Sequence, residues 1–164
     1  VDVAVDFHRA VSPAMAKLLL RELEPFHPMF VEEPVPQENV DALVEVSSKV
    51  PFPIATGERL LSRWEFREIF ERQAADIINP DVCNVGGILE LKEIAAMAET
   101  YFVAVSPHNY NSTTVGLAAT IQACAVMPNF LITEYFVNFT ECGDMISINP
   151  LAVEKGYIQL PTAP

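Results

Sequence analysis

Three short apolar runs in this chain each end on a carboxylate, Asp6 in AVDFH, Glu32 in MFVEEP and Glu58 in IATGE, and the three stand at equal intervals of 26 residues. A buried strand, a polar turn and a helix of about a dozen residues together take roughly 25 residues, so the interval is that of one strand-plus-helix unit. In a parallel sheet built from such units the strands all end on one rim, and their last side chains converge. Three carboxylates brought together repel one another unless a cation lies between them, and hard oxygen donors select a hard ion. The triplet therefore reads as a divalent metal site, with Mg²⁺ as the expected ion.

The rest of the chain keeps the same period. Strands are expected at residues 1–7, 29–32, 53–56, 76–80, 102–106 and 130–135, with helices at 14–23, 38–49, 62–73, 89–100 and 115–126 between them. Ser12-Pro13 supplies an N-cap and a first-turn proline for the first helix, and Pro34 stops the second strand. The apolar stripes expected on the helices run through Leu18, Leu19 and Leu23, then Val40, Leu43, Val44 and Val46, then Trp64, Phe66, Ile69 and Phe70. Gly86-Gly87 lacks the further glycine of a phosphate-cradling loop and reads as a tight strand-to-helix turn, while His27 reads as a loop residue.

Polar residues at the strand ends fall at positions 6, 32, 58, 81, 108 and 134, in steps of 26, 26, 23, 27 and 26. Alternating strands and helices at this period predict an α/β fold, either a doubly wound sheet or a (β/α)₈ TIM-type barrel. The barrel is preferred, because reactive residues end every one of six successive strands, whereas an open sheet gathers them at one switch point. Six units are two short of closure, and the sequence starts without Met inside a strand, so a piece of a longer chain is expected. Residues 1–143 are taken as the partial barrel and catalytic unit. After Gly143 the pattern changes to MISINPLAVEKGYIQLP, an extended pair joined through Asn149-Pro150 and Glu154-Lys155-Gly156, so residues 144–164 are taken as a separate C-terminal segment.

Composition excludes several partners. A net charge of −12 with ten scattered basic residues does not suit a nucleic-acid surface. The apolar stretch 115–127 contains Gly116, Thr120 and Gln122 and ends at Pro128, too short and too polar to span a bilayer, so no membrane contact is expected. Cys83, Cys124 and Cys142 form no CxxC pattern and no disulfide framework, which suits a cytoplasmic protein.

Taken in order, VDFH, FVEEP, ATGER, NPDVCNVGG, VSPH and ITE resemble the barrel of the enolase superfamily. Within it the match is with the mandelate racemase subgroup, and there with acid-sugar dehydratases of the galactonate type. The resemblance implies that the chain carries barrel strands 3 to 8, with a capping domain and two strands upstream, and that residues 144–164 return towards that domain. It implies that Asp6, Glu32 and Glu58 are the Mg²⁺ ligands, and that His108 with Asp81 forms a dyad in which the imidazole takes a substrate's α-proton. Glu134 matches the acid that hydrogen-bonds the enediolate oxygen, and His8 the acid that protonates the departing hydroxyl. Glu33, next to Glu32, is expected to face away, since strand neighbours alternate sides. The segment Asn109-Tyr110-Asn111-Ser112 departs from the usual dehydratase loop. The implied activity is Mg²⁺-dependent dehydration of a small sugar acid to a 2-keto-3-deoxy acid, by a homo-oligomer. The alternatives are a racemase, epimerase or cycloisomerase with the same metal and dyad, or a non-catalytic remnant that keeps the fold.

Overall fold

The computed structural model describes residues 2–161, so Val1, at the head of the first expected strand, and residues 162–164, at the end of the C-terminal segment, lie outside the described residues. Strands β1 (Val5–Asp6), β2 (Val31–Glu32), β3 (Ile54–Thr56), β4 (Ile77–Ile78) and β5 (Ala104–Val105) form one parallel sheet in chain order. A sixth stretch continues it. Phe130 bridges Val105 in parallel, Leu131 N–H donates to the Val105 carbonyl at 2.8 Å, and Val105 N–H donates to the Asn129 carbonyl at 2.9 Å. The strand order never reverses, as it must at the switch point of a doubly wound sheet, so this is the wall of a (β/α)₈-type barrel.

Helices α1 (Pro13–Leu23), α2 (Val40–Ser47), α3 (Arg63–Glu71), α4 (Ile88–Thr100) and α5 (Thr113–Cys124) occupy the connections, close to the expected spans. Local chemistry starts them. Ser12 Oγ accepts from Met15 N–H and Pro13 opens α1, while Asn39 Oδ1 accepts from Ala42 N–H at the head of α2. Gly86 and Gly87 both have positive φ where the chain turns into α4, the tight turn expected there. The expected strand 130–135 is reduced to the pairing of Phe130 and Leu131 with Val105, with no regular strand over 131–136, and beyond it come a single 3₁₀ turn (Val137–Phe139), a short helix α6 (Thr140–Met145) and an antiparallel hairpin, β6 (Val153–Glu154) and β7 (Tyr157–Ile158). Neither the 3₁₀ turn nor α6 was expected. Lys155 and Gly156, both at positive φ, make the two-residue hairpin turn that the sequence predicts.

Alternation along the strands divides the apolar residues between two faces. Ile54, Ile78 and Val105 pack outward against Leu20, Leu43, Phe66, Phe70, Leu91 and Ile94 of the helices, while Ala55 and Ile77 join Phe30 and Ala104 on the concave side. Two stripe assignments are corrected. In α1 the buried side chains are Ala16 and Leu20, with Leu23 at the edge of the core, whereas Leu18 and Leu19 are 56% and 38% exposed. At about 100° per residue, positions 16, 20 and 23 share a stripe and position 18 lies about 200° round from 16. In α3 the same geometry turns Trp64 outward, 71% exposed, while Phe66, Ile69 and Phe70 are buried.

Gly57 ends β3 at φ +130°, and a Cβ added there would stand 2.7 Å from Cε1 of the buried Phe66 ring. Gly156 has φ +84° and open space around it. Gly156→Ala should therefore cost only the backbone term, about 1–2 kcal/mol, and Gly57→Ala that term plus overpacking, about 2–4 kcal/mol. Denaturant midpoints of the two variants in the complete protein check this, and equal shifts would contradict the Phe66 contact.

Candidate active site

The parallel register fixes where the polar strand ends lie. Asp6 sits opposite Glu32 in the β1–β2 ladder, and Asp81 bridges His108 in parallel beyond β4 and β5. Glu58 follows β3 after the Gly57 turn. Glu134 lies on the sixth stretch, where its N–H donates to the Pro107 carbonyl at 3.2 Å. Of these, Asp6, Glu32, His108 and Glu134 line a cavity of about 290 Å³ together with Asn79, while Glu58 and Asp81 lie behind it in contact with His108. A larger cavity of about 520 Å³ lies at the opposite end of the sheet, beside Asp76 and Val103, and brings no comparable set of groups together.

His108 is the centre of the set. Its Nδ1 lies 2.6 Å from Asp81 Oδ2, and its Nε2 lies 3.3 Å from Glu58 Oε2 and 3.6 Å from Glu134 Oε2. Asp81, itself buried, is held in turn by the Cys83 N–H, which donates to Oδ1 at 2.7 Å. Burial pulls the His108 pKa down, but the Asp81 hydrogen bond and then the Glu134 and Glu58 charges outweigh it and lift it above the ordinary histidine value. With a carboxylate on Nδ1, the proton of the neutral ring belongs there and Nε2 carries the free lone pair. His108 lines the cavity with Nε2 between Glu58 and Glu134.

The carboxylates crowd one another. Glu32 is pushed up to about 8, first by burial and then by the charges of Asp6, Glu134 and Glu58. Among the described residues, Arg9 brings a cation to these acids, and the sequence did not single it out. Arg9 Nη1 bonds both Glu33 Oε2 and Glu58 Oε1, the latter at 2.7 Å. Glu33 lies just past β2 at φ 47°, where strand alternation no longer sets its direction, and it is fully buried, accepting also from Thr56 Oγ1 at 2.8 Å and Gly57 N–H at 3.2 Å. The adjacent acidic pair Glu32-Glu33 followed by no lysine, with Arg9 three residues after Asp6, was the available signal.

His8 stands apart from the dyad. Its N–H donates to Asp6 Oδ1 at 2.6 Å, its ring lies 3.4 Å from Asp6 Oδ2, and its side chain is 65% exposed at the rim. The unusual segment after His108 holds other parts of the site. Asn109 N–H donates to Glu134 Oε2 at 2.8 Å, Ser112 bonds Asn109, and Tyr110 lies against Phe136 with ring centroids 4.4 Å apart.

A hard divalent cation fits the donor chemistry. Asp6, Glu32 and Glu58 are all oxygen donors, and the burial and neighbouring carboxylate charges that together raise Glu32 are what a bound cation would offset. Among the described residues, no three acidic, histidine or cysteine side chains are already grouped closely enough to enclose an ion. The fit is one of chemistry and strand-end position.

Comparison with known proteins agrees with the fold. The family model for the enolase C-terminal domain-like proteins matches residues 1–164. The D-galactonate dehydratase of Ralstonia pickettii is 36% identical over 170 residues, covering all of this chain and 44% of that protein. The D-galactonate dehydratase of Variovorax paradoxus is 44% identical over 134 residues, covering 82% of this chain and 35% of that protein. A mandelate racemase/muconate lactonizing enzyme from Jannaschia sp. CCS1 superposes with a TM-score of 0.92 at 34% identity, over 99% of this chain and 41% of that one. A mandelate racemase/muconate lactonizing enzyme-like protein from Roseovarius sp. TM1035 gives 0.93 at 39%, over 99% and 40%. The chain thus spans less than half the length of these relatives.

Because the Asp81 hydrogen bond is the leading contribution that raises His108, Asp81→Asn should lower the imidazole pKa. NMR titration of the His108 ring in the metal-free complete protein measures it. A midpoint that stays or rises would show that the Asp81 contact does not set the basicity of the ring.

Proposed function

The chain belongs to the enolase C-terminal domain-like family, and from that membership we propose that it carries the catalytic barrel of a dehydratase acting on a small sugar acid of the galactonate kind. The observation that carries the reading is the His108–Asp81 pair, with Nδ1 bonded to a buried carboxylate and Nε2 facing Glu58 and Glu134. A hydrogen α to a carboxylate is very weakly acidic, so its removal needs a positioned base and relief of the charge that develops. His108 Nε2 is the base, and Asp81 holds the ring in the productive tautomer and balances its charge once protonated. Glu134, held at Oε2 by the Asn109 N–H, is assigned as the acid that, once protonated, donates a hydrogen bond to the oxygen on which charge develops. His8, exposed at the rim and able to reach a β-hydroxyl from outside, is the acid for the departing hydroxyl. Asp6, Glu32 and Glu58 are assigned as ligands of Mg²⁺, which when bound would neutralise charge on the substrate carboxylate.

Residues 1–143 are read as the catalytic part and 144–164 as a C-terminal segment outside the barrel repeat. Support for the substrate class comes from the two dehydratases named above, and support for a cytoplasmic setting from three free cysteines. No helix among the described residues is long and apolar enough to cross a membrane.

Incubating variants of the complete protein with acid sugars in deuterated water, and following α-deuterium alongside product, separates the roles. His108→Asn should slow both exchange and dehydration by about two to four orders of magnitude, since the general base is lost. His8→Asn should keep exchange while dehydration falls. Exchange at the unmutated rate in His108→Asn would remove His108 as the base, and equal loss of both steps in His8→Asn would make His8 a structural residue.

A further inference from the structure

Arg9 and Glu33 lie outside every role assigned so far, yet they are built into the site with unusual thoroughness. Glu33 is fully buried, and each of its oxygens is engaged: Oε1 accepts from Thr56 Oγ1 and Gly57 N–H, and Oε2 from Arg9 Nη1. Arg9 is tied to the same residue twice, because its N–H also donates to the Glu33 carbonyl at 2.9 Å. His8, Arg9 and Glu33 all adopt left-handed backbone conformations, at φ 48°, 59° and 47°. Such conformations are costly in residues other than glycine and persist where surrounding contacts impose them. The same Nη1 that meets Glu33 reaches across to Glu58 Oε1 at 2.7 Å. Glu58 Oε2 is left towards His108, 3.3 Å from Nε2.

We propose that Arg9 and Glu33 are positioning residues that clamp one oxygen of Glu58 and thereby present the other, singly, to the cation site and to His108. This rests on the assignment of Glu58 as a cation ligand. Glu33 has a second part in it. Alone against Glu58, Arg9 would draw the whole carboxylate to itself and compete with the cation, and the buried charge of Glu33 divides its attraction. A carboxylate fixed at one oxygen loses little freedom when the other is bound, which favours binding through pre-organisation. Because one nitrogen spans both acids, a lysine ammonium can replace the guanidinium at this point, whereas a neutral side chain cannot.

The test is Mg²⁺ titration by calorimetry, with Mn²⁺ titration by electron paramagnetic resonance alongside, on the complete protein without substrate. Arg9→Met should weaken both cations by about tenfold or more, and Arg9→Lys should restore most of that loss. If Arg9 were only a positive charge near the ion, Arg9→Met would tighten binding, so unchanged or tighter binding overturns the clamp. Binding in Arg9→Lys as weak as in Arg9→Met overturns it too. Where Arg9→Met lacks a native circular-dichroism spectrum, Glu33→Gln decides. It keeps an oxygen for Thr56 and Gly57 but leaves Arg9 to Glu58, so weaker binding by about tenfold supports the clamp and unchanged binding overturns it. Glu58→Gln in the same series separates the two levels. If it binds cations normally, the ligand assignment fails; if it alone weakens binding, only the clamp fails.

Discussion

Everything at this site follows from concentrating negative charge on one rim of a parallel sheet. With strands in chain order and helices between them, Asp6, Glu32, Glu58, Asp81 and Glu134 arrive at the same end, and the register that pairs Asp6 with Glu32 leaves no freedom to spread them. Burial first, and then the charges of Asp6, Glu134 and Glu58, push Glu32 up to about 8. The fold answers that charge with few cations. Arg9 is shared between Glu33 and Glu58, and His108 is drawn towards protonation by three surrounding carboxylates. Such a site suits the divalent cation and the base proposed for it, since the charge of His108, once it has taken a proton, is already balanced by its carboxylate neighbours.

The two-faced packing of the wall keeps that rim rigid. Outward residues such as Ile54, Ile78 and Val105 are buried against the helices, so the strands cannot rotate to relieve the crowding without exposing the core. Gly57 shows how closely the two demands meet. It lies one residue before Glu58, and the absence of a Cβ lets the backbone pass the Phe66 ring. The same residue gives its N–H to Glu33.

Much of this was legible in the sequence because it is periodic. Equal spacing of carboxylate-ended apolar runs is enough for alternating strands and helices, and reactive groups at every strand end favour a barrel over an open sheet. Phase within a helix was less legible. α1 carries three consecutive leucines, 18–20, and consecutive residues point in different directions, so only the contact with the sheet selects Leu20 over Leu18 and Leu19. The helix α6 is a single short turn-and-a-half with no apolar stripe of its own to read. Arg9 and Glu33 were missed for another reason. Strand alternation says nothing about whether Glu33, left-handed and just past β2, meets water or a buried partner, and a partner 24 residues distant is a tertiary fact.

The strand-end acids Asp6, Glu32 and Glu58 are proposed to hold one divalent cation beside His108. Crystals of the complete protein soaked in Mn²⁺, with anomalous scattering recorded at the manganese edge, test it most directly. The expected result is a single strong peak within bonding distance of all three carboxylates, with one oxygen of Glu58 on the metal and the other on Arg9. A peak elsewhere in the barrel, or none at these acids in the presence of saturating Mn²⁺, would contradict it.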